Sequence, residues 1–184
     1  KLMPALEKAG QADGARVVLL SSIGHRIAAI DFDDMHFAGR DYDKWQSYGQ
    51  SKTAKALQAV ELDRRGKEKG IRAFSVHPGG IFTPLQRHLH NEEMVALGWT
   101  KEDGSPSDLA AAGFKTPPQG AGTSLFAATS HKLDGLGGVY CEDCNIARLV
   151  AADSADYDGV RPWAVDQEQA AQLWEATEKQ IAAL

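Results

Sequence analysis

The chain has 184 residues, of which 43% are hydrophobic, and a formal net charge of −5. This is enough for one core of ordinary size, and no run of about eighteen apolar residues is present to span a membrane. The mild charge favours neither nucleic acid nor an anionic lipid surface as a partner. Two cysteines are too few for a disulfide framework, which indicates a cytoplasmic protein.

The opening residues, KLMPALEKAG, are typical of the last turns of a helix, and the first residue is Lys1 instead of methionine. They lack the basic, apolar and small-residue segments of a signal peptide. The sequence therefore suggests that it starts in the middle of a domain.

A strand, a long helix and a second strand follow. Residues 14–22, GARVVLLSS, form an apolar run bounded by glycine and serine, which is typical of a buried strand. Residues 44–69 are rich in helix formers and contain no proline. Residues 69–80, KGIRAFSVHPGG, predict a strand that stops at Pro78. A strand–helix–strand unit of this kind predicts a parallel sheet.

The rest of the chain continues the α/β pattern. Residues 84–116 predict an irregular segment with short helices, and 117–130 a helix that opens with prolines. Residues 136–143 predict a further buried strand, and 166–184 an amphipathic helix capped by Asp166. The fold class is therefore α/β.

Tyr48 and Lys52 lie four residues apart in the long helix, so they share one face. Alone, the pair is also what a solvated helix face would show. The preceding strand, however, ends in Ser21-Ser22 at the carboxyl edge of the sheet, where α/β proteins bind ligands. A free phenol has a pKa of about 10, and the Lys52 cation would lower the pKa of Tyr48 towards neutrality. Ser22 could then hold a carbonyl oxygen while Tyr48 moves a proton, and a nicotinamide cofactor would have to supply the hydride.

Three stretches carry a family resemblance: RVVLLSSIGHRIAAIDFDDMHF, YGQSK and GIRAFSVHPGGIFTPL. In this order they resemble the short-chain dehydrogenase/reductase family, and most of all its retinol-dehydrogenase-like branch. The resemblance covers essentially the whole chain and implies a Rossmann-like, doubly wound parallel sheet. It implies that Ser22, Tyr48 and Lys52 are catalytic, with Tyr48 as proton donor and Lys52 also bonded to the nicotinamide ribose.

The resemblance extends to the turn HPGGIFT. It implies that Pro78, Gly79, Ile81 and Thr83 line the nicotinamide, partly through backbone groups. The alternative is an ordinary Pro-Gly loop that closes a strand.

Two parts of the family pattern have no counterpart in the 184 residues. They are the glycine-rich pyrophosphate loop and a catalytic asparagine, both of which would precede Lys1. The resemblance therefore implies that residues 1–184 are the C-terminal part of a single Rossmann-like domain, without its first strands. The residues that select the cofactor would also precede Lys1, and the branch likeness alone favours NADP over NAD.

Segment 85–116 is either a lid over the substrate or surface packing of short helices. Its apolar residues include Leu89, Met94, Leu97, Trp99 and Phe114. The resemblance favours the lid and a lipophilic alcohol, aldehyde or ketone as substrate.

Other candidate sites are weaker. Cys141 and Cys144 form one C-x-x-C pair without partners at zinc-ligand spacing, and structural cysteines are the preferred interpretation. The acidic residues of IDFDD match no calcium loop and are interpreted as solvated charges. His88 and His90 are placed on different faces of one short helix, and His77 is expected to pack at a strand end. Without a G-x-S-x-G elbow, a hydrolase is disfavoured.

The leading hypothesis is thus an NAD(P)-dependent oxidoreductase acting on an alcohol and its aldehyde or ketone. The alternatives are a cofactor-sensing or regulatory protein without turnover, and a fragment that is active only within a longer chain. The resemblance suggests homodimers or homotetramers that pack through the long helix. Its small residues Ala54, Ala56 and Ala59 could equally pack within one subunit.

Overall fold

A computed structural model describes residues 2–184, so Lys1 of the predicted N-terminal helix lies outside the described residues. Strands and helices alternate as the sequence predicts. The helices are α1 (Met3–Ala12), α2 (Lys44–Gly66), α3 (Asn91–Ala96), α4 (Asp108–Gly113), α5 (Pro117–Thr129) and α6 (Gln167–Ala182). The strands are β1 (Ala15–Leu20), β2 (Ile71–His77), β3 (Val139–Glu142) and β4 (Asn145–Ile146).

The strands form one sheet in the order β1-β2-β3-β4. The first three are parallel, with Leu20 aligned to Val76 and Phe74 to Val139. Strand β4 runs antiparallel to β3 after a tight turn in which Asp143 and Cys144 both have positive φ. A two-residue strand is too short to give a sequence pattern, so β4 was not predicted. The parallel-dominated α/β class is confirmed.

Helices cover both faces of the sheet, and the core lies between the layers. On one face α2 packs against the strands and α6 packs against α2, and Leu57 and Leu173 share a buried cluster. On the other face α5 packs, and its Ala127 shares a cluster with Phe74 of β2. Because both faces are covered, the strands read as continuous apolar runs.

The ends of the long helices follow from capping. Asp43 accepts a hydrogen bond from the backbone N–H of Gln46 at 2.7 Å, and Asp166 accepts one from Gln169 at 2.8 Å, which confirms the predicted cap. Helix α2 stops at Gly66, earlier than predicted, and a 3₁₀ turn reaches Gly70 in the left-handed region (φ 73°).

Short helices make up the segment after β2, as predicted. A 3₁₀ helix spans Pro84–His88 and is followed by α3 and α4. His88 ends the 3₁₀ helix and His90 precedes α3, so the prediction that both lie on one helix is wrong. Within residues 2–184, no helix is both long and apolar enough to cross a membrane.

Candidate active site

The carboxyl ends of β1, β2 and β3 meet at one edge of the sheet, because the strands are parallel. The backbone N–H of Ser21 donates to the carbonyl of Val76 at 2.8 Å and extends the ladder one residue beyond β1. The buried Ser21 hydroxyl donates to the backbone carbonyl of Lys52 at 2.7 Å. Through this bond, the end of β1 is attached to α2 at the predicted lysine.

Ser22 lies directly after this attachment. It is half-buried and caps the 3₁₀ turn Ile23–Arg26, where its Oγ accepts a hydrogen bond from Gly24 N–H at 3.1 Å. The O–H of Ser22 finds no acceptor among the residues described. It is therefore available to a ligand oxygen.

Gly24 brings Ser22 and Tyr48 together. A Cβ added at Gly24 would lie 2.9 Å from Cδ1 of Tyr48 and 3.5 Å from Oγ of Ser22. The Tyr48 ring thus packs on the bare backbone of Gly24, and any side chain there would push it away. Sequence reasoning missed this residue, although a glycine two positions after the candidate serine is a usable signal.

Lys52 lies beside the tyrosine, as its spacing predicts. Its Nζ is 5.2 Å from the centroid of the Tyr48 ring, within cation–π range. Burial, and to a lesser extent the charge of Lys55, lowers the pKa of Lys52. In the described part of the chain, the ammonium makes no hydrogen bond or ion pair. A half-buried cation with unused N–H donors, next to two available hydroxyls, fits the ribose and nicotinamide end of a dinucleotide.

His25 is hydrogen-bonded to the backbone of Ser22. This fully buried imidazole makes a 2.9 Å hydrogen bond between Nδ1 and the Ser22 carbonyl, while Nε2 accepts from the backbone N–H of Arg161 at 3.1 Å. These partners place the ring proton on Nδ1. Burial lowers the pKa of His25 to about 4, aided by the charges of Arg161 and Arg26 and opposed by the bond to Ser22. The ring is therefore neutral at neutral pH.

The predicted nicotinamide turn lies at the end of β2. Gly79 has φ 94°, which favours glycine, and a Cβ at Gly80 would meet Cδ1 of Phe114 at 2.8 Å. The Gly80 carbonyl accepts a hydrogen bond from Lys115 N–H at 2.7 Å. The turn thus packs tightly against the end of segment 85–116.

Several polar groups of the turn bond within the turn itself. Thr83 forms a capping box with Gln86, in which its N–H donates to Oε1 of Gln86 at 2.8 Å. The carbonyl of Ile81 accepts from Nε2 of Gln86 at 2.8 Å. The Ile81 carbonyl and the polar groups of Thr83 therefore have local partners, whereas Pro78 lies half-buried between β2 and the glycines.

A chain of aromatic rings connects segment 85–116 to Tyr48. Trp45 lies 6.3 Å from Tyr48 and 6.5 Å from Trp99, and Trp99 lies 5.9 Å from Phe114, all as centroid distances. The indole N–H of Trp45 also donates to Oε1 of Glu93 at 3.1 Å. Sequence reasoning named Trp99 and Phe114 but missed Trp45, the ring that connects them to the tyrosine.

The remaining candidates stay outside this group. Cys141 is buried in β3, and burial raises the pKa of its thiol to about 11, while Cys144 is exposed in the hairpin turn. Residues 2–184 contain no group of three or more His, Cys, Asp or Glu placed to hold a metal ion. The acidic loop is more than solvated charge, because Asp31 pairs with Arg40 at 2.8 Å.

The chain is similar to several known proteins. It is 44% identical over 174 residues to a Streptomyces lividans protein named "Probable oxidoreductase", covering 95% of this chain and 57% of that protein. It is 38% identical over 167 residues to the short-chain dehydrogenase/reductase prx1 of Penicillium roqueforti, covering 91% and 47%. It is 31% identical over 175 residues to retinol dehydrogenase 14 of Homo sapiens, covering 92% and 45%.

A solved structure agrees on the fold. The crystal structure of an uncharacterized protein from Mycobacterium paratuberculosis matches with a TM-score of 0.51 and 25% identity, over 90% of this chain and 50% of that one. No protein-family model matches. The chain spans about half the length of the curated relatives it matches. From its motifs and these relatives, the chain belongs to the short-chain dehydrogenase/reductase family, in its retinol-dehydrogenase-like branch.

Proposed function

We propose that the protein is an NAD(P)-dependent oxidoreductase that interconverts an alcohol and an aldehyde or ketone. The observation that carries the proposal is the meeting of Ser22, Tyr48 and Lys52 at the carboxyl edge of the parallel sheet. The Gly24 contacts bring the first two together, and Lys52 Nζ lies 5.2 Å from the Tyr48 ring centroid. Among the residues that the structure describes, each of these side chains keeps a donor without a partner.

The roles follow from the chemistry of these groups. Bound NAD(P) would supply or accept the hydride. Ser22 donates its O–H to the substrate oxygen, and Tyr48 gives that oxygen a proton or takes one from it. The Lys52 ammonium stabilises the phenolate form of Tyr48 and donates to the nicotinamide ribose. Pro78, which directly follows β2, belongs with Gly79, Ile81 and Thr83 to the wall beside the nicotinamide.

The wider proposals rest on the family. Residues 1–184 are the C-terminal part of one Rossmann-like domain, and NADP is preferred over NAD. The substrate is lipophilic, because segment 85–116 forms a lid whose aromatic rings Trp99 and Phe114 are connected to Tyr48 by the ring of Trp45. The free cysteines agree with a cytoplasmic location.

A homodimer or homotetramer that packs through the long helix α2 belongs to the same proposal. Ala56 and Ala59 are 1% and 0% exposed within the chain, so this part of the helix packs inside the subunit. An oligomer that packs through α2 would have to use other residues of this helix.

The first test is Tyr48→Phe, assayed with a panel of hydrophobic aldehydes and either NADPH or NADH. We expect turnover to fall by at least about 100-fold, because proton transfer by a placed side chain contributes that much or more. Cofactor binding, followed by nicotinamide fluorescence, should change little. Tyr42→Phe is the matched control, since Tyr42 is 69% exposed.

Two results would count against the proposal. Full turnover in Tyr48→Phe would remove Tyr48 from the reaction. A wild-type protein that binds the cofactor but never oxidises it with any aldehyde would favour the sensing alternative.

A further inference from the structure

One atom of His77 connects the two turns of the candidate site. His77 is the last residue of β2, and its Nδ1 accepts hydrogen bonds from Ile23 N–H at 3.2 Å and Gly79 N–H at 3.4 Å. Ile23 follows Ser22, and Gly79 lies in the turn that ends β2. The imidazole therefore bridges the segment that carries the serine and the segment proposed to line the nicotinamide.

Both bonds require an unprotonated Nδ1, so the ring is neutral with its proton on Nε2. The titratable groups that face the ring are Lys115, Asp143 and His25. Burial, and to a lesser extent the charge of Lys115, lowers the pKa of His77 to about 4, while Asp143 opposes this. Lys115 and Asp143 form an ion pair with each other beside the ring.

We propose that His77 is a positioning residue, which holds the Ser22 turn in register with the Pro78–Thr83 turn. The inference rests on the proposed function, since the register matters for catalysis only if both turns contact the reacting groups. His77 itself need not touch substrate or cofactor.

The backbone N–H groups of Ile23 and Gly79 depend on His77 as their hydrogen-bond acceptor. Neither Ile23 N–H nor Gly79 N–H has another acceptor within the described chain. Removing Nδ1, or protonating it, would leave two backbone donors unpaired at once and release the turns from each other. The bond from His25 to the Ser22 carbonyl would survive, so the serine turn would stay attached on that side.

Two variants at this position separate hydrogen bonding from packing. In His77→Asn the side-chain oxygen can occupy the place of Nδ1 and accept both bonds, whereas His77→Leu keeps bulk but has no acceptor. We expect kcat for an aldehyde with NADPH to fall at least about 10-fold in His77→Leu and to stay within about 3-fold of wild type in His77→Asn. A residue that acts only by filling space would not be rescued by asparagine.

The pH profile provides a second readout. Asparagine does not titrate, so His77→Asn should lose the part of the acid-side fall in kcat/KM that wild type shows as His77 gains a proton. All other titratable groups, His25 included, are common to both proteins. Identical acid limbs in wild type and His77→Asn would overturn the proposal, and this comparison does not need His77→Leu to fold.

Amide hydrogen exchange tests the bonds without any turnover. The amides of Ile23 and Gly79 should be protected in wild type and His77→Asn, and should exchange faster together in His77→Leu. Equal protection in all three proteins would overturn the proposal. If wild type turns over no aldehyde but the two amides behave as expected, the proposed function fails while the bridge stands.

Discussion

Acidification should destabilise the fold through His25. The imidazole is 0% exposed, and its pKa is lowered from 6.5 to about 4. Because the folded pKa lies below the unfolded one, the unfolded state binds more protons between these values. The stabilisation from neutral His25 is therefore complete above 6.5, and it is lost as the pH falls towards 4.

The size of the effect follows from the same two values. At about pH 5, linkage predicts that His25 alone lowers the free energy of unfolding by about 2 kcal/mol relative to neutral pH. For a domain of this size, whose urea m-value is about 2 kcal/mol/M, this shifts the midpoint by about 1 M.

Urea titrations followed by tryptophan fluorescence would measure the shift at about pH 7.5 and about pH 5. His25→Gln is the matched variant, because it keeps a polar side chain that does not titrate. Its stability is expected to be lower at both pH values, but its midpoint should change by about 1 M less between them. Other groups with shifted pKa values, such as His77 and Glu142, are present in both proteins and cancel in the comparison.

The same pH dependence in wild type and His25→Gln would refute this reasoning. So would an NMR titration in which the His25 ring of the folded protein protonates near 6.5, since burial would then not disfavour the charged form.

Two further substitutions test how the site is built. Gly24→Ala should cost about 1–3 kcal/mol of stability by overpacking against Tyr48, and turnover should fall about 100-fold as the ring moves. Thermal denaturation measures the first effect and aldehyde reduction the second. Unchanged activity would show that the ring tolerates the methyl group. Thr53→Val should lower the free energy of unfolding in urea by about 1–3 kcal/mol. The reason is that the buried Thr53 hydroxyl donates to the carbonyls of His25 at 3.2 Å and Ala28 at 2.7 Å. A loss of stability below about 0.5 kcal/mol would mean that these carbonyls find other partners.

Much of the fold could be predicted because its causes are local or periodic. The apolar run of β1, the proline-free helix formers of α2 and the capping oxygen of Asp166 each act within a few residues. The pairing of Tyr48 with Lys52 was equally accessible, since one helical turn fixes their separation. Strand β4 was not, because two residues carry no period and the turn at Asp143 lacks the usual glycine.

The supports of the candidate site were missed for a different physical reason. Gly24 packs on the ring of Tyr48, His25 accepts from the backbone N–H of Arg161, and Thr53 donates to the carbonyl of His25. Each of these contacts joins residues that are far apart in sequence, so their partners could not be identified from the residues alone. A histidine before a proline reads as strand-end packing, and only the sheet register shows that its Nδ1 reaches Ile23, 54 positions earlier.

Within the described residues, the site therefore divides into side chains that keep donors for a ligand and side chains whose ring nitrogens hold the backbone by accepting hydrogen bonds. Ser22, Tyr48 and Lys52 belong to the first kind, and His25 and His77 to the second. The second kind must stay neutral to act as acceptors, so burial that lowers their pKa to about 4 keeps the turns joined across the neutral range. Burial disfavours the charged form of Lys52 as well, but its ordinary value of 10.5 leaves it far more margin before it loses its proton. One desolvated environment can thus hold neutral acceptors beneath the site and a cation at its surface.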